Sequence, residues 1–346
     1  MTGDRQHPWT LRPAQEQDIE GICDVIDAHS QAILGVGNRP EKQVKLTWTQ
    51  PGFDVTTDTR VVALASGEIV GYGEVEAVES PYVEIGLWVR VHPKAKGQGI
   101  EEALLEWTDA RARQILPKAP PHARVVMNQG VASADKELCA LFRRKGFELI
   151  RHFWRMGIEF EREIPVPAWP GGVAVRPFIW EDDLVPTVHA FRDAFQDHWG
   201  HVENTFEEEL AKWDHWIRND EDFDPDLTFL AVADDEIVGL VSCDLKHPED
   251  PKMGYVAVLG VCRQWRRKGI ALALLHHAFR ALKERGQERA CLGVDATSLT
   301  GANRVYRAAG MSVARQIDVF EKELRAGEDL RLQTLDTEGD SNEAAA

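Results

Sequence analysis

The sequence predicts a mixed α/β protein built as two tandem copies of one domain, each a mixed, mostly antiparallel sheet flanked by helices. Three observations predict it. A chain of 346 residues exceeds what one hydrophobic core ordinarily organises. Its two halves repeat one another in the same order. Within each half, short apolar strands alternate with amphipathic helices.

The repeat is read from matched stretches. "LRPAQEQDI" at Leu11 faces "VRPFIWEDDL" at Val175, so that Arg12 and Arg176 stand 164 residues apart. Phe53 and Phe223 are separated by 170, and "EIVG" recurs letter for letter at Glu68 and Glu236, a step of 168. Lys96 and Arg266 are 170 apart, and "FRRKGF" at Phe142 faces "YRAAGM" at Tyr306 after 164. Constant order with so little drift implies a duplicated domain of about 165 residues, near the common domain size. The halves are expected at 1–162 and 173–325, joined by "EREIPVPAWPGG", whose three prolines and paired glycines read as a linker. Residues 326–346 are polar and acidic and are expected to form a disordered tail.

The second half shows the elements most clearly. "VAVRPF" reads as a short strand, and "EDDLVPTVHAFRDAFQDHW" and "FEEELAKWDHWIRND" carry apolar residues at the three-and-four spacing of helices. "LTFLAVAD" and "EIVGLVSCDL" read as strands turning at Asp234 and Asp235, and "GYVAVLGV" as a fully apolar strand. A helix closed by Gly286, the strand "RACLGVDA", a helix closed by Gly310 and a last strand from Ser312 complete the half.

Composition bounds the function. Hydrophobic residues make up 43% and charged residues 28%, as in ordinary globular proteins. The start, "MTGDRQHPW", has no secretory pattern, and no run of about eighteen apolar residues occurs. The five cysteines lack CxxC spacing, which suits a reducing compartment and offers no metal site. The expected location is cytoplasmic, as a monomer or homodimer. A net charge of −17 argues against nucleic acid and anionic membranes as partners, and favours a cationic substrate such as an amine.

The stretch "VCRQWRRKGIALALL" joins the apolar strand to a helix. The first N–H groups of a helix have no intrahelical partner and its dipole is positive there, so an anion is stabilised at that junction. Gly269 lets a phosphate approach the backbone, Ala271 keeps the first turn small, and Arg266, Arg267 and Lys268 add charge. Arg266, Gly269 and Ala271 have the spacing of the pyrophosphate loop of the GCN5-related N-acetyltransferases, and Tyr306, Gly310 and Met311 match a second signature of that family. The chain therefore resembles that family over nearly its whole length, most nearly its tandem members, a group that includes mycothiol synthase.

The resemblance implies an acetyl-CoA-dependent transfer of an acetyl group to a primary amine, expected to be a small molecule, at the second half. It implies that Arg266, Arg267, Lys268, Gly269, Ile270 and Ala271 hold the diphosphate. Backbone groups near Leu259 and Val261 would meet the pantetheine arm and the thioester oxygen, and Tyr306 would stand by the sulfur as proton donor. Many members use a glutamate on the strand before the loop, but "GYVAVLGV" has no carboxylate there. Asp295, His198 or a water chain remain open as the base. In the first half Lys96, Gly97 and Gly99 persist, but Glu101 replaces the small residue and Phe142 replaces the tyrosine. A carboxylate repels a diphosphate and a phenyl ring cannot donate a proton, so the first half reads as degenerate. The alternatives are a non-catalytic acyl-CoA-binding or sensing protein, and a protein lysine acetyltransferase.

Overall fold

The computed structural model describes residues 8–334. Strand β1 (Trp9–Arg12) leads into helices α1 (Ile19–Leu34) and α2 (Glu41–Thr49) and the single turn α3 (Val55–Asp58). Three antiparallel strands follow, β2 (Thr59–Leu64), β3 (Ile69–Glu76) and β4 (Glu84–Val91). Helix α4 (Ile100–Ile115), β5 (Val125–Ala132), α5 (Lys136–Arg144) and β6 (Glu148–Glu159) end the first half.

The second half repeats this order. It runs β7 (Ala174–Pro177), α6 (Trp180–Phe195), α7 (Phe206–Asn219), β8 (Thr228–Ala233), β9 (Glu236–Asp244) and β10 (Met253–Val261). It continues through α8 (Ile270–Glu284), β11 (Arg289–Asp295), α9 (Ala302–Ala308) and β12 (Ser312–Arg325). The strands and helices expected from sequence in this half are all present. Asp234 and Asp235 join β8 to β9 with φ of 48° and 64°, the consecutive left-handed pair that matches the twist of a tight hairpin. Helix α7 starts at a capping box, in which the Thr205 hydroxyl accepts from the Glu208 N–H and the Glu208 carboxylate accepts from the Thr205 N–H.

The duplication extends to the ion pairs that open each half. Arg12 grips Asp18 through two bonds of 2.6 and 2.8 Å, and Arg176 grips Asp183 through two of 2.5 and 2.6 Å. Each carboxylate also accepts a backbone N–H, from Gln15 or Ile179. Both are held below the usual aspartate range, Asp18 mainly by its arginine, Asp183 by its arginine against the opposing effect of burial.

The twelve strands form one sheet, ordered β1-β2-β3-β4-β5-β12-β6-β11-β10-β9-β8-β7. The last strand of each half has crossed into the other. β12 pairs antiparallel with β5 of the first half, and β6 pairs antiparallel with β11 of the second. The cores follow the exchange. Phe320 of β12 is fully buried against Phe142, and Met156 and Phe160 are buried with the second half's apolar residues. The exchange covers the edges that β5 and β11 would otherwise present.

The disorder expected for residues 326–346 does not hold over residues 326–334. Residues 326–334 are packed rather than loose. The Arg124 N–H donates to the Glu328 carbonyl, the Glu328 N–H donates to the His122 carbonyl, and Arg331 is buried between Glu321 and Asp329. Leu332 exchanges two backbone bonds of 2.8 Å with Gly200 and His201 of the second half. A buried, doubly paired arginine anchors a segment whose composition alone reads as solvated. Residues 335–346 of that tail lie outside the described residues. No helix of the described residues is long and apolar enough to cross a membrane.

Candidate active site

The site in the second half begins where two parallel strands part. β10 and β11 are in register only from Met253↔Arg289 to Tyr255↔Cys291. Beyond Tyr255 the β10 ladder to β9 shifts register between Val256 and Val258, leaving Ala257 as the extra residue of a bulge. A bulge bends its strand and sharpens the twist, so β10 turns away from β11. A cavity of about 200 Å³ opens there, lined among others by Ala257, Leu259, Leu292, Phe153 and Tyr306. Phe153 belongs to β6, so the first half's exchanged strand supplies part of this wall.

The backbone of β10 presents donors to that cavity. The Cys262 N–H donates to the Val238 carbonyl of β9. Because alternate residues of an antiparallel strand face opposite neighbours, the Leu259 and Val261 N–H groups face the β11 side. The Val261 carbonyl, on that same side, accepts from Arg266 Nε at 3.3 Å.

The loop ahead of α8 turns sharply at Gly269. Gly269 is left-handed at φ 88° and forms the N-cap of α8 without a side-chain cap, and a Cβ there would meet nothing within 4 Å. The first N–H groups of α8 are thus open to a ligand. Arg267 is left-handed as well, at φ 62°. That conformation costs a non-glycine residue about 1–2 kcal/mol and turns successive N–H groups inward as an anion nest.

The basic residues divide their tasks. Arg266 donates to Asp197 at 2.6 Å and to the Ala194 carbonyl at 3.0 Å, so its guanidinium ties the loop to the end of α6. Arg267 and Lys268 are exposed, with Lys268 Nζ 4.2 Å from the Trp265 ring. The Ile270 side chain is buried in the core, which leaves only its backbone to face a ligand, and Ala271 follows in the first turn.

Tyr306 is buried at the end of the cavity. Burial, reinforced by the neighbouring Tyr255, pushes its phenol up to about 12, so it carries its proton throughout the neutral range. Of the two side chains considered as bases, Asp295 is held by Arg151 at 2.8 Å and caps the Thr297 N–H. His198 lines the cavity, and burial and Arg266 push its pKa down.

The equivalent place in the first half has the same loop and a different slot. Gly97 and Gly99 are left-handed at φ 76° and 77°, like Arg267 and Gly269. Lys96 is paired with Glu137 at 2.8 Å, and Glu101 is half-buried with its pKa raised by that burial. Phe142 is wholly buried between Phe147 and Phe320. The β3–β4 ladder runs in unbroken register from Gly71↔Val91 to Glu76↔Gly86, where the second half has its bulge. Across the slot, Gln129 Oε1 accepts from the Val89 N–H at 3.1 Å, and Gln129 is buried. The strand registers equate Val89 with Leu259 and Gln129 with Leu292. A backbone donor that faces a cavity in one half is therefore occupied by a side chain in the other. Sequence reading found Glu101 and Phe142 but missed Gln129, because its effect depends on which backbone group it reaches.

A second cavity, of about 540 Å³, lies between the halves and shares Ala257 as a lining residue with the first. Helix α2 of the first half forms one wall and α7 of the second the other. Lys42 of α2 reaches Asp220 at 2.8 Å, and Lys212 of α7 reaches Glu79 at 2.6 Å. Its inner end holds Asp244 and Tyr255, which are cross-strand partners on β9 and β10. Arg155 of the exchanged strand β6 lies 5.2 Å from the Tyr255 ring centre.

The comparisons with known proteins agree with this architecture. The Acetyltransferase (GNAT) family model matches residues 188–311. A mycothiol acetyltransferase of Streptomyces coelicolor is 27% identical over 326 residues, covering 90% of this chain and 97% of that protein. Another from Streptomyces bingchenggensis is 31% identical over 252 residues, covering 71% and 75%. The crystal structure of a GCN5-related N-acetyltransferase from Sphaerobacter thermophilus has a TM-score of 0.76 at 30% identity, covering 93% of this chain and 98% of that one. With two halves of this fold and a relative of that identity and coverage, the chain belongs to the GCN5-related N-acetyltransferase family and is an N-acetyltransferase.

Proposed function

We propose that the second half transfers an acetyl group from acetyl-CoA to the primary amine of a small molecule. One observation carries this reading: uncapped helix N–H groups at Gly269 follow the C-terminal end of β10, the strand whose residues Val256, Ala257 and Leu259 border a cavity bearing Tyr306. Such an arrangement suits a long cofactor with an anionic end and a reactive end. The open N–H groups of α8, with Arg267 and Lys268, suit the diphosphate. The β10 backbone at Val261 and Leu259 suits the amide arm. The Leu259 N–H is placed to stabilise the oxyanion that forms when the amine attacks the thioester carbonyl. Tyr306 gives its proton to the departing thiolate, and its raised pKa keeps that proton available at neutral pH.

The first half is read as a partner without turnover of its own. Glu101, Phe142 and Gln129 each remove a different requirement, namely a charge-compatible loop, a proton donor and a free backbone donor. Its retained contribution is structural: α2 walls the cleft and β6 supplies Phe153 and Arg155. A small acceptor is supported by relatives named mycothiol acetyltransferases. The cytoplasm, and transfer without nucleic acid or membrane partners, are consistent with five unpaired cysteines and a strongly acidic chain.

The test measures thiol release from acetyl-CoA with a panel of small amines and of lysine peptides. Turnover with small amines is expected, with acetyl-CoA seated in the second half on co-crystallisation. CoA that binds without turnover would establish a sensing role instead, and preference for peptides would establish a protein acetyltransferase.

A further inference from the structure

The reaction needs an uncharged amine, and the strand before the phosphate loop carries no carboxylate to make one. The structure places a carboxylate one strand over. Asp244 ends β9 directly opposite Tyr255 of β10, and cross-strand partners project their side chains to the same face. Both line the cavity between the halves, together with Ala257 and Val258. Ala257 is the bulge residue shared with the cavity that holds Tyr306. Tyr255 also sits close enough to Tyr306 to raise its pKa. Asp244 and Tyr255 therefore face the inter-half cavity, and Ala257 borders both that cavity and the one that holds Tyr306.

From this geometry we infer that the inter-half cavity admits a cationic primary amine and that Asp244 takes the proton from its ammonium group. The inference rests on the transferase reading and deepens it. The neutral amine then attacks the thioester carbonyl carbon, forming the C–N bond and an oxyanion. The carbon–sulfur bond breaks with its electron pair on sulfur, and the thiolate takes the Tyr306 proton. The proton still on the new amide nitrogen returns to Tyr306, and the proton on Asp244 leaves to solvent. The sum is ammonium and thioester giving amide, thiol and one proton.

The surroundings suit this task. Facing Asp244 are Lys42 of α2 at 3.8 Å, Asp220 and Asp222 beyond α7, and Tyr255 of β10. Burial is the largest influence on the carboxyl, Lys42 opposes it, and Asp220 and Asp222 add to it. Together they lift it to about 6, where a base is both ionised at neutral pH and strong enough to work. Asp220, 6% exposed, lines the same cavity and is paired there with Lys42 at 2.8 Å. Trp213 and Trp216 of α7 also line this cavity.

The test uses the full chain, acetyl-CoA and two probe acceptors, 2-phenylethylamine, which is cationic at neutral pH, and hydroxylamine, which is largely uncharged there. Asp244→Asn is expected to lower kcat/KM for phenylethylamine about 10²- to 10⁴-fold and to abolish the fall in rate below about pH 6. Its turnover of hydroxylamine should stay within a few-fold of wild type, because that acceptor needs no deprotonation. Asp244→Glu should keep the acidic limb, and acetyl-CoA affinity should be unchanged in both. An intact acidic limb in Asp244→Asn, its loss in His198→Gln instead, or an equal loss with both acceptors would overturn the assignment. Calorimetry with phenylethylamine separates the two readings. Binding that Asp244→Asn weakens, without wild-type turnover, defeats the transferase reading and leaves the cavity assignment standing. Turnover that ignores Asp244 does the reverse, and neither binding nor turnover overturns the cavity assignment for this class of amine.

Discussion

Leu292→Gln transplants the first half's blocked slot into the second. Leu292 is buried on β11 and lines the donor cavity, and its counterpart Gln129 accepts the Val89 N–H at 3.1 Å. A glutamine at 292 has nearly the size of leucine and the same reach toward the Leu259 N–H. If that N–H stabilises the oxyanion, occupying it removes one preorganised donor, which costs about 10²- to 10³-fold in kcat, or about 2.7–4 kcal/mol. The fold also suffers. Gln129 Nε2 is buried without a hydrogen-bond partner among the described residues, and an orphaned amide of this kind costs about 1–3 kcal/mol. The assay pairs thiol release under saturating acetyl-CoA with thermal unfolding of the same sample. Leu292→Met, which conserves volume and should cost under about 1.5 kcal/mol, controls for packing. A folded Leu292→Gln protein turning over within two-fold of wild type would refute the role given to the Leu259 N–H.

Three further outcomes are expected. Tyr306→Phe should reduce turnover about 10²- to 10⁴-fold with CoA affinity retained in calorimetry; an unchanged rate would remove the tyrosine from the chemistry. Glu101→Gly combined with Gln129→Leu should raise CoA occupancy of the first half, the charge change alone contributing about 1 kcal/mol or five-fold, and no gain would mean neither residue is what limits binding there. Asp183→Asn should lower stability by about 1–3 kcal/mol in chemical denaturation. Since Asp18 and Asp183 have lowered pKa values in the fold, their stabilisation is present above the unfolded aspartate value near 3.9 and is lost as pH falls through their folded values. Asp183→Asn should therefore flatten the acid limb of the stability curve, and an unaltered limb would show that the pair is not its source.

The sequence alone determined the duplicated α/β plan, the element order of the second half and the loop at Gly269. Those features are local: a repeat is visible as letters, a helix as a three-and-four spacing, and a sharp turn as a glycine between a strand and a helix. Glu101 and Phe142 were legible for the same reason, since each departs from its copy in the other half. The tertiary structure alone decided the rest. The exchange of β6 and β12 pairs segments whose apolar alternation fits either sheet, so no local pattern selects the partner. Residues 326–334 have the composition of a solvated tail and are held by Arg331, whose burial depends on carboxylates at Glu321 and Asp329. Gln129 can occupy the Val89 N–H and Leu292 cannot occupy its counterpart, but only the fold sets each side chain opposite that backbone group. Asp244 reads as the polar end of an apolar strand until register sets it opposite Tyr255, because charge, burial and proximity are properties of neighbours brought together by folding.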